Sequence, residues 1–225
     1  MCGRYALYGP QSRYREQFGT EDDFDLAPRF NVAPSQVLPV VSQSPEGHRH
    51  FVMAKWGLIP SWAKDAAQFH HPINAKAETA AILPMFRHAF RKSRVLVPAD
   101  GFYEWKAGAG GKQPFFIRMR DGSPFGMAGL LEHWQDPEGE VTSFTILTTE
   151  PNPLMAGIHN RMPAIIRPED YGVWLDPGVA DVQVLQGMVG PYTERFMEAY
   201  AVSRRVNKPE NEGPALLDPV PEGRS

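Results

Sequence analysis

The only cysteine of this 225-residue chain is its second residue, Cys2. Removal of Met1 would leave an α-amine and a thiol on adjacent carbons, which together form a 1,2-aminothiol. Such a pair condenses with an aldehyde: the amine forms a Schiff base, and the thiol then adds to the imine carbon and closes a thiazolidine ring. A cysteine inside a chain has no free α-amine, so the position of Cys2 is what predicts this chemistry.

The ionisation of the two groups favours the same chemistry. An α-amine titrates near ~7.8 and a lysine near ~10.4, so at neutral pH far more of the α-amine is the neutral nucleophile. A thiol with a pKa near ~8.5 is partly ionised, and we expect the neighbouring cation Arg4 to lower both pKa values further. The alternative is that Cys2 is a small residue tolerated at a frayed terminus, without any chemistry.

Polar residues stand at several positions where the local pattern prefers apolar ones. Glu104 lies inside the aromatic segment GFYEWK, so it either faces solvent or is a buried carboxylate with a raised pKa. His159 and Arg161 in IHNRMP, and Asn74 and Lys76 in INAKAE, are ambiguous in the same way. None of the seven histidines forms an HExxH pair, and we expect no metal ion or other cofactor.

Composition bounds the class of protein. Hydrophobic residues make up 42% and charged residues 22%, with a net charge of −3, which is typical of an ordinary globular chain. A nucleic-acid site would therefore have to be a local patch. The strongest candidate patch is the end of a predicted helix, although a solvated helix face explains it nearly as well; its cationic residues are Arg87, His88, Arg91, Lys92 and Arg94.

The same data predict the compartment and the domain organisation. One cysteine excludes an internal disulfide and a zinc cage of the CxxC type. The chain shows neither a secretory leader nor an apolar run long enough to span a membrane, so we expect a reducing, cytoplasmic environment. We expect a single domain over residues 1–225, with a tail from about 202 to 225 that wraps the surface.

Local patterns predict the first elements of the chain. SRYREQF from Ser12 predicts a short helix, and apolar residues near 37–41 and 51–57 predict two strands joined by a turn at 45–47. Residues 58–72 read as a long loop. In the segment that follows, Glu78, Thr79 and the alanines favour helix, which Pro84 should break or restart.

The middle of the chain predicts a β-rich structure. Short aromatic and β-branched segments separated by Gly, Asp and Pro favour a curved, largely antiparallel sheet or barrel with peripheral helices, which is an α+β fold. The AGAGG run from Ala107 lacks the Lys and Ser/Thr of a phosphate loop and is expected in a hairpin. His159 is expected between a short helix and a strand, and PEDYGVWL and DVQVLQGMV predict further short helices.

Taken together, these segments resemble a known family. MCGRY, RFNVAPSQ, KWGLIPSWAK, INAKAET, PADGFYEWK, TTEPNPLMAGIHNRMPAII and AVSRRVNKPENEGP are similar, in colinear order from Met1 to about Pro214, to the SOS response-associated peptidase (SRAP) family, or abasic site processing proteins. The resemblance implies a mixed α+β fold and a Cys2 exposed after self-removal of Met1. It also implies reaction with the aldehyde of abasic sites in single-stranded DNA, which gives a thiazolidine DNA–protein crosslink.

The resemblance assigns roles to matching residues. It implies that Cys2 is the nucleophile, that Asn74 holds the terminal amine or a sugar oxygen, and that Glu104 is a general acid/base. His159 would donate to the sugar oxygen or a phosphate. The implied DNA-binding residues, which contact phosphates, stack on bases or block a paired strand, are Arg4, Lys76, Arg161, Trp62, Met85, Phe86 and Arg87.

Two positions depart from the family pattern. Lys76 stands where many members have Arg, which replaces a bidentate phosphate contact by a point charge. The loop from Ala63 to Pro72 is longer than expected and lacks a second Trp after Trp62.

The expected partner is single-stranded DNA with abasic sites, including single-strand to double-strand junctions. We expect a monomer that binds no membrane and that is nucleoid-associated when on DNA. Two other functions remain open from the sequence. One is an N-terminal-nucleophile hydrolase in which Cys2 attacks an amide. The other is a module that binds modified DNA without chemistry.

Overall fold

The structure, a computed structural model, describes residues 2–25, 27–66, 69–108, 110–136 and 139–222. Within them the fold is α+β. The strands are β1 Tyr5–Leu7, β2 Arg29–Val32, β3 Val37–Gln43, β4 Arg49–Trp56, β5 Asn74–Lys76, β6 Arg94–Ala99, β7 Gly101–Lys106, β8 Gln113–Met119, β9 Phe125–Asp136, β10 Gly139–Thr149, β11 Met162–Pro163, β12 Ile165–Ile166 and β13 Met197–Ala201. The α-helices are α1 Gln11–Phe18, α2 Ala77–Ala80, α3 Arg87–Lys92, α4 Pro153–Ala156, α5 Tyr171–Leu175 and α6 Val182–Met188.

Five strands close into a barrel. Hydrogen bonds join β3 to β4, β4 to β10, β10 to β9, β9 to β6, and β6 back to β3. Only the β10–β4 pair of this ring is parallel. β5 extends the parallel edge of β10, and β11 and β12 pair with β10 and β9. The largely antiparallel barrel predicted from the sequence is confirmed.

A second sheet holds the N-terminal strand near its centre. Its order is β13-β8-β7-β1-β2, so β1 is hydrogen-bonded on both sides. Ala6 of β1 lies opposite Gly101, and a Cβ at Gly101 would lie 2.2 Å from Cζ of Phe116. Glycine is therefore required for this close packing. Because β1 begins only three residues after Cys2, the start of the chain is tied into the fold and is not frayed.

The predicted hairpin and helices are present. β3 and β4 pair antiparallel with Val41 opposite Phe51, and the turn between them is closed by Ser44 N–H donating to the carbonyl of His48 at 2.9 Å. α1 begins at Gln11, one residue before the predicted start, and ends at Gly19 in a left-handed conformation. α2 and α3 lie on either side of Pro84, which confirms the predicted interruption of the helix at this residue.

The later elements also follow the sequence prediction. The glycine-rich run connects β7 to β8, although Ala109 lies outside the described residues. His159 lies between α4 and β11. PEDYGVWL forms a 3₁₀ helix at Pro168–Asp170 followed by α5, and Asp181 caps α6 by accepting from the backbone N–H of Gln183 at 2.8 Å. Further 3₁₀ helices span Glu194–Phe196, Arg204–Asn207 and Pro214–Leu217.

The C-terminal tail wraps back onto the N-terminal sheet. We name residues 203–211 the tail strap. Asn31 of β2 is fully buried, and its Nδ2 donates to three strap carbonyls, those of Val206 at 3.2 Å, Lys208 at 2.9 Å and Asn211 at 3.0 Å. Its Oδ1 accepts from Nη1 of Arg4 at 2.9 Å. The tail strap is thereby fixed beside β2 and Arg4.

One expectation about the basic patch is wrong. Arg94, counted among the cations of the predicted helix end, lies in β6 and is buried at 3% exposure. Its guanidinium donates to the carbonyls of Phe90, Trp174, Asp176 and Val179. Arg94 is a structural cation that ties α5 to the barrel, so it is not available to a phosphate.

Among the described residues, no helix has the length and apolar character that crossing a bilayer would require.

Candidate functional site

Cys2 lies three residues before the start of β1 and is fully buried in the main core. Burial raises the pKa of its thiol, and the Glu104 carboxylate raises it further. The thiol pKa is therefore raised and not lowered as expected, although the backbone N–H of Arg4 hydrogen-bonds the thiol and offsets part of the rise. The guanidinium of Arg4 is directed to the tail strap, where Nη1 donates to the carbonyl of Val206 at 2.8 Å, and not to the thiol.

Glu104 is the buried carboxylate that the sequence left as one of two alternatives. It lies in β7 opposite Phe115 of β8, at only 2% exposure. Burial raises the pKa of its carboxyl, because desolvation disfavours the charged form, and nearby His159 offsets part of that rise. A carboxyl whose pKa is raised holds its proton more readily than an ordinary carboxyl does, which suits a group that delivers a proton and takes one back.

His159 faces this carboxyl from the loop between α4 and β11. Its Nε2 lies 4.0 Å from Oε2 of Glu104. Its Nδ1 accepts from the backbone N–H of Arg161 at 3.1 Å and lies 3.2 Å from the carbonyl oxygen of the same residue. The backbone of Arg161 can therefore hydrogen-bond His159 in both protonation states. Nδ1 of the neutral ring accepts from the N–H, and Nδ1 of the charged ring donates to the carbonyl oxygen. In either state Nε2 carries the proton towards Glu104.

Asn74 begins β5, and its amide is unusual. Both Oδ1 and Nδ2 are buried and have no hydrogen-bond partner among the described residues. A buried polar group without a partner costs about 1–3 kcal/mol, so such a group commonly marks a place for a ligand. Trp56 connects this strand to the N-terminal strand: its Nε1 donates to the carbonyl of Ile73 at 2.9 Å, and its ring packs on Tyr5 with centroids 5.3 Å apart.

A cleft of about 710 Å³ opens at the Glu104–His159 pair. Trp105, Lys112, Asn160 and Asn207 complete its lining. Sequence reasoning did not single out these four residues. They come from a hairpin, a loop and the tail strap, and no fixed spacing along the chain connects them.

Two of the three cations predicted to contact phosphates have protein partners here. Arg161 forms a bidentate ion pair with Glu78, at 2.7 and 2.8 Å, and this contact lowers the pKa of the Glu78 carboxyl. Arg4 is held by Asn31 and the tail strap. Lys76, at the end of β5, is exposed and makes no hydrogen bond or ion pair within the part of the chain that is described.

The residues predicted to stack on bases are divided by their burial. Trp62 is 56% exposed and, with Arg87 and His88, lines a shallow cleft of about 550 Å³. Met85 is half-buried against the core. Phe86 is only 7% exposed, because its ring packs in the main core, so the expectation that it stacks on a base is corrected.

No group of three or more His, Cys, Asp or Glu side chains is arranged to hold a metal ion in the described ranges.

The fold and the site together define a class of proteins in which a cysteine near the N-terminus lies beside a buried Glu–His pair at an open cleft. The chain belongs to the SOS response associated peptidase (SRAP) family, whose family model matches residues 1–209. The family resemblance of the sequence is thus confirmed.

Curated relatives agree with this membership. The abasic site processing protein YoqW of Bacillus subtilis (strain 168) is 40% identical over 224 residues, covering 97% of this chain and 99% of the relative. YedK of Escherichia coli (strain K12), also named an abasic site processing protein, is 32% identical over 231 residues, covering 98% and 100%. A crystal structure of a protein from Bacteroides thetaiotaomicron matches with a TM-score of 0.87 at 26% identity, covering 97% of this chain and all of that one.

Proposed function

We propose that this protein captures abasic sites in single-stranded DNA through Cys2 and forms a covalent thiazolidine crosslink. The observation that carries the proposal is the placement of Cys2 close enough to the buried Glu104 carboxylate for that charge to raise the thiol pKa, with His159 4.0 Å from the same carboxylate. Family membership supports it, because the relatives are named for processing abasic sites.

The reaction balances without an added oxidant or cofactor. The α-amine of Cys2 adds to the C1′ aldehyde of the ring-opened sugar, and loss of one water gives an imine. The thiol sulfur then adds to the carbon of the protonated imine, whose nitrogen keeps one hydrogen, and the thiol proton is released to a base. The amine and the thiol each give up one hydrogen, and the aldehyde oxygen leaves as water.

Glu104 supplies the proton transfers in this scheme. Its protonated form, favoured by burial, gives a proton to the carbinolamine oxygen, which leaves as water. The resulting carboxylate then takes the thiol proton as the sulfur attacks. A buried thiol with a raised pKa needs such a base, because little of it is thiolate at neutral pH.

His159 and the Asn74 amide would position the substrate. The Nε2 proton of His159 would donate to the sugar oxygen and favour the open-chain aldehyde. The buried Asn74 amide has two donors and an acceptor without described partners, and these suit the amine or a sugar oxygen.

Removal of Met1 must precede capture, because the nitrogen of Cys2 belongs to a peptide bond until Met1 leaves. We propose that the protein catalyses this cleavage itself, with one water consumed and Glu104 as the base. This would be the peptidase activity of the molecule. Its setting would be DNA damage and repair in the cytoplasm, where the protein acts as a monomeric single domain.

The direct test uses a single-stranded oligonucleotide with one abasic site, analysed on a denaturing gel. The wild type should give a shifted band that Cys2→Ala abolishes. Cys2→Ser keeps the amine but cannot close a thiazolidine ring, so it should give only a reversible imine. An intact oligonucleotide is the matched control. No band with the wild type, or an undiminished band with Cys2→Ala, would overturn the proposal.

The same preparation separates the other two functions. Turnover of an amide substrate without a DNA adduct would identify an N-terminal-nucleophile hydrolase. Equal DNA affinity with Met1 retained or removed, again without adduct, would identify a binding module. Intact mass measures whether the chain is lighter by one methionine residue.

A further inference from the structure

The cleft at Glu104 and His159 carries polar groups that the proposed chemistry does not use. Lys112 and Asn207 both line it. Lys112 comes from the hairpin between β7 and β8, and Asn207 comes from the tail strap, 95 residues later. Two unrelated segments therefore bring a cation and an amide to the same opening.

The orientation of the Asn207 amide is fixed by its neighbour. Nε1 of Trp105 donates to Oδ1 of Asn207 at 2.8 Å. An indole N–H can only donate, so the amide oxygen must face Trp105 and the NH₂ group must face away from it. Asn207 therefore offers hydrogen-bond donors, and not an acceptor, for a ligand in the cleft.

The tail strap holds Asn207 from its backbone side. Nη1 of Arg4 donates to the carbonyl of Val206 at 2.8 Å, and Nη2 donates to the carbonyl of Asn207 at 3.3 Å. The buried Asn31 amide secures the strap on either side of this point. A donor fixed in this way binds a ligand at a smaller cost in conformational entropy.

Lys112 is the available cation of this hairpin. Lys106, in the same hairpin, is paired with Glu222 at 2.6 Å. Lys112 is exposed and makes no hydrogen bond or ion pair within the described ranges. Two of the three cations expected to contact phosphates, Arg4 and Arg161, already have protein partners. The charge at the mouth of the cleft is thus supplied by Lys112.

We infer that Lys112 and the Asn207 amide form the binding site for the phosphodiester next to the sugar that reacts with Cys2. This inference rests on the proposed function, since it assigns a place to the DNA backbone in the same cleft. The site reads charge and not base identity, because an ammonium and amide donors match any phosphate oxygen.

The first test measures binding to an unlesioned single-stranded oligonucleotide by fluorescence anisotropy at several salt concentrations. Such DNA has no aldehyde, so binding is measured without crosslinking. Lys112→Ala should weaken binding by about fivefold and lower the slope of log K against log salt by about 0.7, the value for one phosphate contact on a single strand.

Arg195→Ala is the matched control for charge. Arg195 is exposed beyond the far end of β8, the seven-residue strand that begins just after Lys112. Such a strand spans about 23 Å, which is well beyond the Debye length of about 8 Å at physiological salt. Arg195→Ala should therefore leave the salt slope unchanged.

The second test separates phosphate binding from support of the fold. Asn207→Asp has the same shape and keeps an oxygen for Trp105, but it replaces the donors by a negative charge. It should fold normally and weaken DNA binding more than Lys112→Ala does. Wild-type affinity in Asn207→Asp would show that no phosphate approaches this side chain.

The outcomes of these tests distinguish failure of this inference from failure of the proposed function. A wild type that crosslinks abasic DNA, with Lys112→Ala and Asn207→Asp binding normally, overturns the inference alone. A wild type that neither binds nor crosslinks overturns both. Loss of affinity and of salt slope in Lys112→Ala, with Arg195→Ala unaffected, supports the phosphate site.

Discussion

Oε2 of Glu104 and Nε2 of His159 face each other at 4.0 Å, where a buried carboxyl meets a half-buried imidazole. The two groups belong to elements 55 residues apart in the chain. Burial favours the neutral carboxylic acid, whereas a charged imidazole would favour the carboxylate. Under the proposed function, the proton of this acid would move to a substrate oxygen and would be replaced by the proton of the thiol.

Replacement of Glu104 by Gln should remove this proton transfer. We expect crosslinking of abasic DNA by Glu104→Gln to be about 10²- to 10⁴-fold slower, the usual contribution of a general acid/base. Quantified gel bands over time give the rate. If loss of water from the carbinolamine limits the wild-type rate, that rate should fall as pH rises through the raised pKa of Glu104, because the carboxyl then loses the proton it donates. The rate of Glu104→Gln should not show this pH dependence. A variant as fast as the wild type would exclude the role.

The same substitution should stabilise the folded protein at neutral pH. The pKa of Glu104 is raised in the folded state, so folding favours its protonated form. Its contribution is fully present below the unfolded pKa of ~4.3 and is lost as pH rises through the folded pKa. Glu104→Gln should thus be more stable than the wild type at pH 7, by a margin that vanishes near pH 4. Urea unfolding at both pH values measures this margin, and equal stability at pH 7 would contradict the burial penalty.

Release of Arg161 from its carboxylate partner should strengthen DNA binding. Glu78 holds the guanidinium in a bidentate pair, so a phosphate must compete with it. Glu78→Gln removes that competing charge, and we expect about threefold tighter binding of unlesioned single-stranded DNA at low salt, because a partly exposed pair is worth about 1 kcal/mol or less. Anisotropy gives the affinity. Glu194→Gln, which makes the same charge change at a distant exposed position, should have little effect.

Loss of the Asn31 amide should free the tail strap. Asn31→Leu keeps the size of the side chain but leaves the carbonyls of Val206, Lys208 and Asn211 without their shared donor. We expect a loss of about 3 kcal/mol in the free energy of unfolding and faster proteolysis within residues 203–211. Asn160→Leu, at an exposed position, is the control and should change stability little. An unchanged urea midpoint would show that the hydrogen bonds of Asn31 do not hold the tail strap.

The sequence predicted the local elements and a candidate chemistry for Cys2. Alternation and turn residues predicted the β3–β4 hairpin and the break at Pro84, because these signals depend on neighbours in the chain. The position of Cys2 predicted the aminothiol, since only a terminal residue carries a free α-amine. The closed barrel was predicted only as a class of fold, and its closure depends on the pairing of β9 with β10 and of β3 with β6.

Only the tertiary structure decided the environment of each polar side chain. The pattern around Glu104 fits a buried or a solvated carboxylate equally well, because a period of two does not say which face lies inside. Arg161 and Arg4, both expected to contact phosphates, instead bind protein groups that are 83 and 27 residues away in sequence. Asn207 reaches the cleft because hydrogen bonds from Arg4 and Asn31 hold the tail strap against the N-terminal sheet. Such long-range contacts depend on the burial free energy summed over the whole fold.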